Sequence, residues 1–192
     1  MKTGLTTVLD ESAKMFAAVE ALAKTRVMVG VPAEKTDRRG EGESRLTNAA
    51  LAYIHENGAP EVAIPPRPFL RPGIERAKND IEGGLKNAGQ LALKGDAAKV
   101  EKQLMAVGIL AASSVRSVIA EGIPPPLKPS TIEGRIRRRK SKTWRARRRA
   151  EVAANAAYLG EENAGAGIFT PLIDTGRLLK SITYVLRKVG KR

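Results

Sequence analysis

Four prolines fall in eight residues at Pro65-Pro66-Arg67-Pro68-Phe69-Leu70-Arg71-Pro72. Each ring fixes φ near about −65° and removes a backbone donor, and the residue before each proline is pushed to extended geometry. A helix interior and a central strand are both excluded. The segment from Ile64 to Pro72 is expected to be a stiff strap that presents Phe69 and Leu70 to an apolar surface, with Arg67 and Arg71 left accessible.

Regular patterns flank the strap. Val8, Met15, Val19 and Leu22 recur at helical spacing over residues 6–24, and the β-branched run at 26–31, closed by Pro32, reads as a strand. Residues 35–44 are charged and aperiodic, a loop. Asn48 is placed to cap a short helix over 49–56, ended by Asn57-Gly58. Helical spacing returns over 73–93 despite Gly83-Gly84, each glycine costing ~1 kcal/mol against alanine. Residues 97–120 carry the strongest helical rhythm, through Val100, Leu104, Val107, Ala111, Val115 and Val118, and Pro124-Pro125-Pro126 ends it. Ser130 or Thr131 is placed to cap the next helix, residues 150–159 read as helical, and 160–167 read as a flexible loop. Asp174-Thr175-Gly176 is a turn, with Asp174 or Thr175 capping a short helix over 177–181. Residues 182–189 alternate as a strand with Ile182, Tyr184 and Leu186 on one face.

At 192 residues the chain is long enough to bury a core. Only 4% of it is aromatic, so Leu, Ile, Val and Ala must fill that core. No cysteine means no disulfide framework and no thiolate metal site. No signal peptide is read at the start, and no apolar run approaches the ~18 residues of a membrane span. The expectation is a protein made in the cytoplasm, with no cofactor and no membrane partner.

The net charge of +14 is concentrated. Residues 135–149 hold ten cations and no acid: Arg135, Arg137, Arg138, Arg139, Lys140, Lys142, Arg145, Arg147, Arg148 and Arg149. These ten account for all but about four of the chain's net charge. Like charges so dense repel one another and call for a polyanion or an acidic surface. DNA bound through its phosphates would answer them without sequence preference; so would an acidic protein ring. Trp144 alone is too little aromatic surface for a single-strand platform. The region 133–167, basic and then alanine-rich, reads as an insertion or arm within one domain spanning 1–192.

Catalytic patterns are thin. His55-Glu56 lacks the second histidine of an HExxH helix, because Ala59 stands there, and His55 is the only histidine. The serines have no second histidine to serve them, and the paired glycines lack a phosphate-loop pattern. No catalytic, metal or cofactor residue is therefore assigned, and the chain is not expected to be an enzyme.

Four short motifs stand out instead: Ala52 with Ile54, His55, Glu56 and Gly58; Ile64-Pro65 with Arg67-Pro68-Phe69-Leu70; Pro129-Ser130-Thr131; and Leu172 with Thr175-Gly176-Arg177-Leu178 and Ser181-Ile182. Together they resemble the tail-completion or neck proteins of tailed bacteriophages, relatives of the virion morphogenesis family. That family's motifs take the forms YAxIHExG, IPxRPFL, PLSPxT and LxxTGRLxxSI. Here the TGRL motif follows the others, whereas in the family it precedes them. The resemblance implies a structural virion protein, a ring at the neck or tail top (tail completion, tail terminator or head–tail connector). Its partners would be copies of itself, as a hexamer, and neighbouring neck, connector and tail-tube proteins, with DNA in the channel. His55, Glu56, Arg67, Phe69, Leu70, Arg71, Thr175, Gly176 and Arg177 become the expected assembly contacts. The ten cations of 135–149 become expected contacts to DNA or an acidic partner. A cationic protein binding nucleic acid non-specifically through that tract is the alternative. The expected fold is α+β: a small antiparallel sheet (26–31 with 182–189) on the long helix 97–120, plus the strap and a basic helical arm.

Overall fold

The long helix forms where its rhythm places it. In the computed structural model, which describes residues 11–32 and 47–189, this helix runs Ala97–Glu121. It is the fifth α-helix, α5, among the described residues. Asp96 caps it by accepting the amide of Lys99 at 3.0 Å. Gly122, with φ 90°, ends it in a conformation that glycine reaches without steric cost. Val100, Leu104, Val107, Ala111, Val115 and Val118 are all buried along one stripe.

Two strands lie on this helix. β1 (Thr25–Gly30) pairs antiparallel with β2 (Thr183–Lys188), Thr25 opposite Lys188 and Gly30 opposite Thr183. The α+β architecture, with a small antiparallel sheet on the long helix, is as the sequence indicates. Contact is close where Tyr184 lies on Gly108: a Cβ on that glycine would stand 2.4 Å from the tyrosine ring. The amino-terminal half of α5 packs with α1 (Ser12–Ala23) and α4 (Lys78–Leu93) through Ala18, Ala88, Ala92, Val100 and Leu104. Its carboxy-terminal half buries Phe69, Leu178 and Ile182 against Ala112, Val115 and Ile119.

Several boundaries differ from expectation for identifiable reasons. Thr47, not Asn48, caps α2 (Asn48–Asn57), accepting the amide of Ala50 at 3.1 Å. Residues 73–93 are two helices, α3 (Leu70–Arg76) and α4, separated at Ala77. The strap therefore ends at Phe69, and Pro72 sits in the first turn of α3, where its missing donor would have had no intrahelical partner. α6 (Pro129–Arg137) begins with proline, so neither Ser130 nor Thr131 is the cap. Gly176, with φ 74° and no side-chain bond, stands at the cap position of α8 (Arg177–Ser181) in place of Asp174 or Thr175. Residues 160–167 contain a 3₁₀ turn, Glu161–Asn163, and bury Ala164 and Gly165, the latter tight against Ile132. Of the amino-terminal helix, residues 6–10 lie outside the described residues, as does the loop at 35–44.

The glycine pair in α4 divides by role. A Cβ on Gly84 would come within 2.4 Å of Val107, so glycine lets α4 approach α5, whereas Gly83 meets nothing. One expectation about apolar runs is corrected: α5 is long and apolar enough to cross a membrane by composition. Its apolar stripe, Val100 to Ile119, is buried as the core of this fold.

Candidate functional site

Glu56, near the end of α2, fixes the strap. Its carboxylate accepts the amides of Phe69 at 2.8 Å and Leu70 at 2.9 Å through one oxygen, and of Arg71 at 3.1 Å through the other. These are the orphan donors at the start of α3, for which Phe69 supplies no side-chain cap. The residue weighed as half of a metal motif is a remote helix cap. A carboxylate there is favoured by both the donors and the helix dipole.

Arg67 departs from expectation. It is 7% exposed, not accessible. Its Nε donates to the Pro125 carbonyl at 2.9 Å and Nη2 to the Pro126 carbonyl at 3.0 Å, while its amide donates to the His55 backbone carbonyl at 2.7 Å. Burial pulls its pKa down. The guanidinium clamps the strap to the triple-proline segment, whose carbonyls have no helical partners. Phe69, 2% exposed, is core. Leu70 is half-buried, Arg71, Thr175 and Arg177 are exposed, and His55 is half-buried.

The cationic tract is helical on both sides of a short turn: it ends α6 and begins α7 (Lys142–Leu159). Much of its charge is answered inside the chain. Arg135 is buried and donates to the carbonyls of Thr170 at 3.0 Å and Ile173 at 2.9 Å. Burial lowers its pKa, and Asp174 partly opposes that. Arg138 pairs with Asp174 at 2.6 Å. Arg147 and Arg148 share Glu151, and Arg149 reaches Glu133 across the two helices. The guanidiniums of Arg139 and Arg148 each stand 5.6 Å from the Trp144 ring centre. Arg137, Lys140, Lys142 and Arg145 make no ion pair among the described residues. The Arg147/Arg148–Glu151 spacing was readable as i,i+4 and i,i+3 pairing. The Glu133–Arg149 and Asp174–Arg138 pairs needed the fold.

These pieces meet. A cavity of about 670 Å³ is lined by α2, the strap, the start of α6 and residues 172–178, so all four motifs contribute to it. Its apolar lining includes Leu51, Ile64, Leu127 and Leu172. Its charged lining is Arg67, Lys128, Arg135, Arg138, Arg139 and Arg177, with Asp174 the one carboxylate. Lys128 is the member not anticipated from sequence. Phe69, Leu70 and Arg71 do not line this cavity, and Gly176 is not part of its lining. A second cavity, about 900 Å³, lies between the sheet and α4 and is lined mainly by edges of the core such as Val27, Leu85 and Leu104.

Chemically, the first cavity suits an anionic partner that also brings apolar surface. Among the described residues no three of His, Cys, Asp and Glu stand together in a way that could hold a metal ion. Compared with known proteins, the chain matches no family model, no curated protein and no solved structure.

Proposed function

We propose that this chain is a structural protein of a tailed-bacteriophage virion, closing into a homo-oligomeric ring, a hexamer, at the neck or the top of the tail. The supporting observation is the convergence of four motifs, distant in sequence, on one braced cavity. Their best-fixed residues serve geometry: Glu56 holds amides and Arg67 holds carbonyls. A surface braced in this way docks on a neighbour at little ordering cost. Light scattering and electron microscopy of the purified chain test the reading. Rings are expected; a monomer at every concentration and salt condition overturns it.

A second reading, non-specific nucleic-acid binding, draws on Arg137, Lys140, Lys142 and Arg145, which make no ion pair among the described residues, although the charge of Arg137 is felt by Glu133. Phosphate contacts of that kind weaken steeply with salt. Changing those four to Gln should flatten the salt dependence of DNA retention if they meet phosphate, and leave it unchanged if they are only solvated.

A further inference from the structure

We infer that the cationic cavity is the socket of a subunit–subunit joint, and that its occupant is the tip of α7 from a second copy of this chain. This rests on the ring reading above and says which surfaces meet.

The socket combines apolar side chains with the exposed cations Lys128, Arg138, Arg139 and Arg177, while Arg67 and Arg135 in its lining are buried on backbone carbonyls. Asp174, its one carboxylate, is already paired with Arg138. A bare phosphate backbone would satisfy the exposed cations and leave the apolar lining uncovered. An acidic segment that also carries apolar side chains satisfies both.

The chain carries such a segment. Tyr158 is 88% exposed, the most exposed large apolar side chain among the described residues, and Leu159 beside it is 44% exposed. Gly160 turns the chain there with φ 85°, and the 3₁₀ turn that follows presents Glu161 and Glu162 to solvent. Neither glutamate makes an ion pair among the described residues, although ten cations lie in the preceding segment 135–149. Two exposed apolar side chains and two unanswered carboxylates thus stand together where α7 ends and the 3₁₀ turn begins.

Tip and socket are different patches of the same chain. A joint between them is heterologous, head to tail, and such joints generate rings when the rotation closes. The same geometry gives every subunit one tip and one socket, so no second type of contact is needed to complete the circle.

The experiment compares the oligomeric mass of four chains by light scattering at low salt. They are wild type, Glu161→Lys with Glu162→Lys, Lys128→Glu with Arg139→Glu, and one chain carrying all four changes. All four positions are exposed. The expected result is assembly of wild type, loss of assembly in each two-residue variant, and recovery in the four-residue chain, where the charges are exchanged. Tyr158→Ser, at a side chain that supports no core, should weaken assembly with unchanged thermal unfolding of the monomer. Assembly of either charge variant like wild type overturns the joint while leaving the ring reading standing. Failure of the exchanged chain to recover, with normal circular dichroism, also overturns it. A monomeric wild type removes both readings. A short duplex DNA that binds wild type but not Lys128→Glu with Arg139→Glu, with assembly unchanged, reassigns the socket to phosphate and sinks the joint.

Discussion

The carboxylate of Glu56 accepts the amide of Phe69 at 2.8 Å, thirteen residues along the chain, and so joins the end of α2 to the start of α3. The same carboxylate serves Leu70 and Arg71. Glu56→Ala leaves part-buried donors unmatched and should cost about 1–3 kcal/mol in denaturant unfolding. Glu56→Gln, which keeps one carbonyl oxygen, should cost less. Equal stabilities for the three chains would contradict the capping role.

Phe69 is 2% exposed within the main apolar cluster. Phe69→Ala should lose about 3–5 kcal/mol, the range for a truncated buried aromatic. The loss should appear in the monomer's own unfolding curve, because the ring lies in the core. A change confined to assembly would instead place Phe69 at an interface.

Two glycines should fail for different reasons. Gly176 has φ 74° and open space around its missing Cβ, so Gly176→Ala should cost about 1–2 kcal/mol through conformation alone. Gly176→Val should cost more. Gly73 has no positive φ, but a Cβ there would lie 2.5 Å from the Val115 Cα. Gly73→Ala should therefore force α3 from α5, costing about 1–3 kcal/mol or more. Calorimetry of both variants, with a crystal structure of Gly73→Ala, checks the distinction.

Glu133 is held below its ordinary value of 4.5, first by the hydrogen bond from Arg149. A carboxyl whose folded pKa is depressed contributes stability that is complete above its unfolded value and lost as pH falls through the folded one. The melting-temperature gap between wild type and Glu133→Gln should therefore be widest near neutrality and narrow with acidification below that ordinary value. A constant gap across that range would mean that the pair does not join α6 to α7.

What the sequence made legible follows the range of the forces involved. α5 and the two strands are local patterns, three-four and alternating, so Val100 to Val118 and Ile182 to Leu186 announced themselves. The end of α2 at Gly58 and the positive φ at Gly176 are likewise written in single residues. Arg67 looked accessible because its partners are the backbone carbonyls of Pro125 and Pro126, and carbonyls leave no mark in composition. The tract looked wholly unanswered because Asp174 and Glu133 reach it through folding. Of the cavity, the motifs named most contributing segments; that they share one wall required the positions of α2, α6 and the 172–178 segment together.

The sheet has a temporal consequence. β1 and β2 are strand partners, yet more than 150 residues separate Gly30 from Thr183, the nearest pair of the register. A nascent chain therefore cannot close the sheet, or seat Tyr184 on Gly108, until residues 183–188 have left the ribosome. Contacts of such long sequence separation form slowly, because the loop must be closed before they reward it. Helices α4 and α5 can pair earlier, being adjacent in sequence and in space. Truncation before residue 183 should leave that helical pair with an uncovered apolar face, a species suited to chaperone capture rather than to assembly.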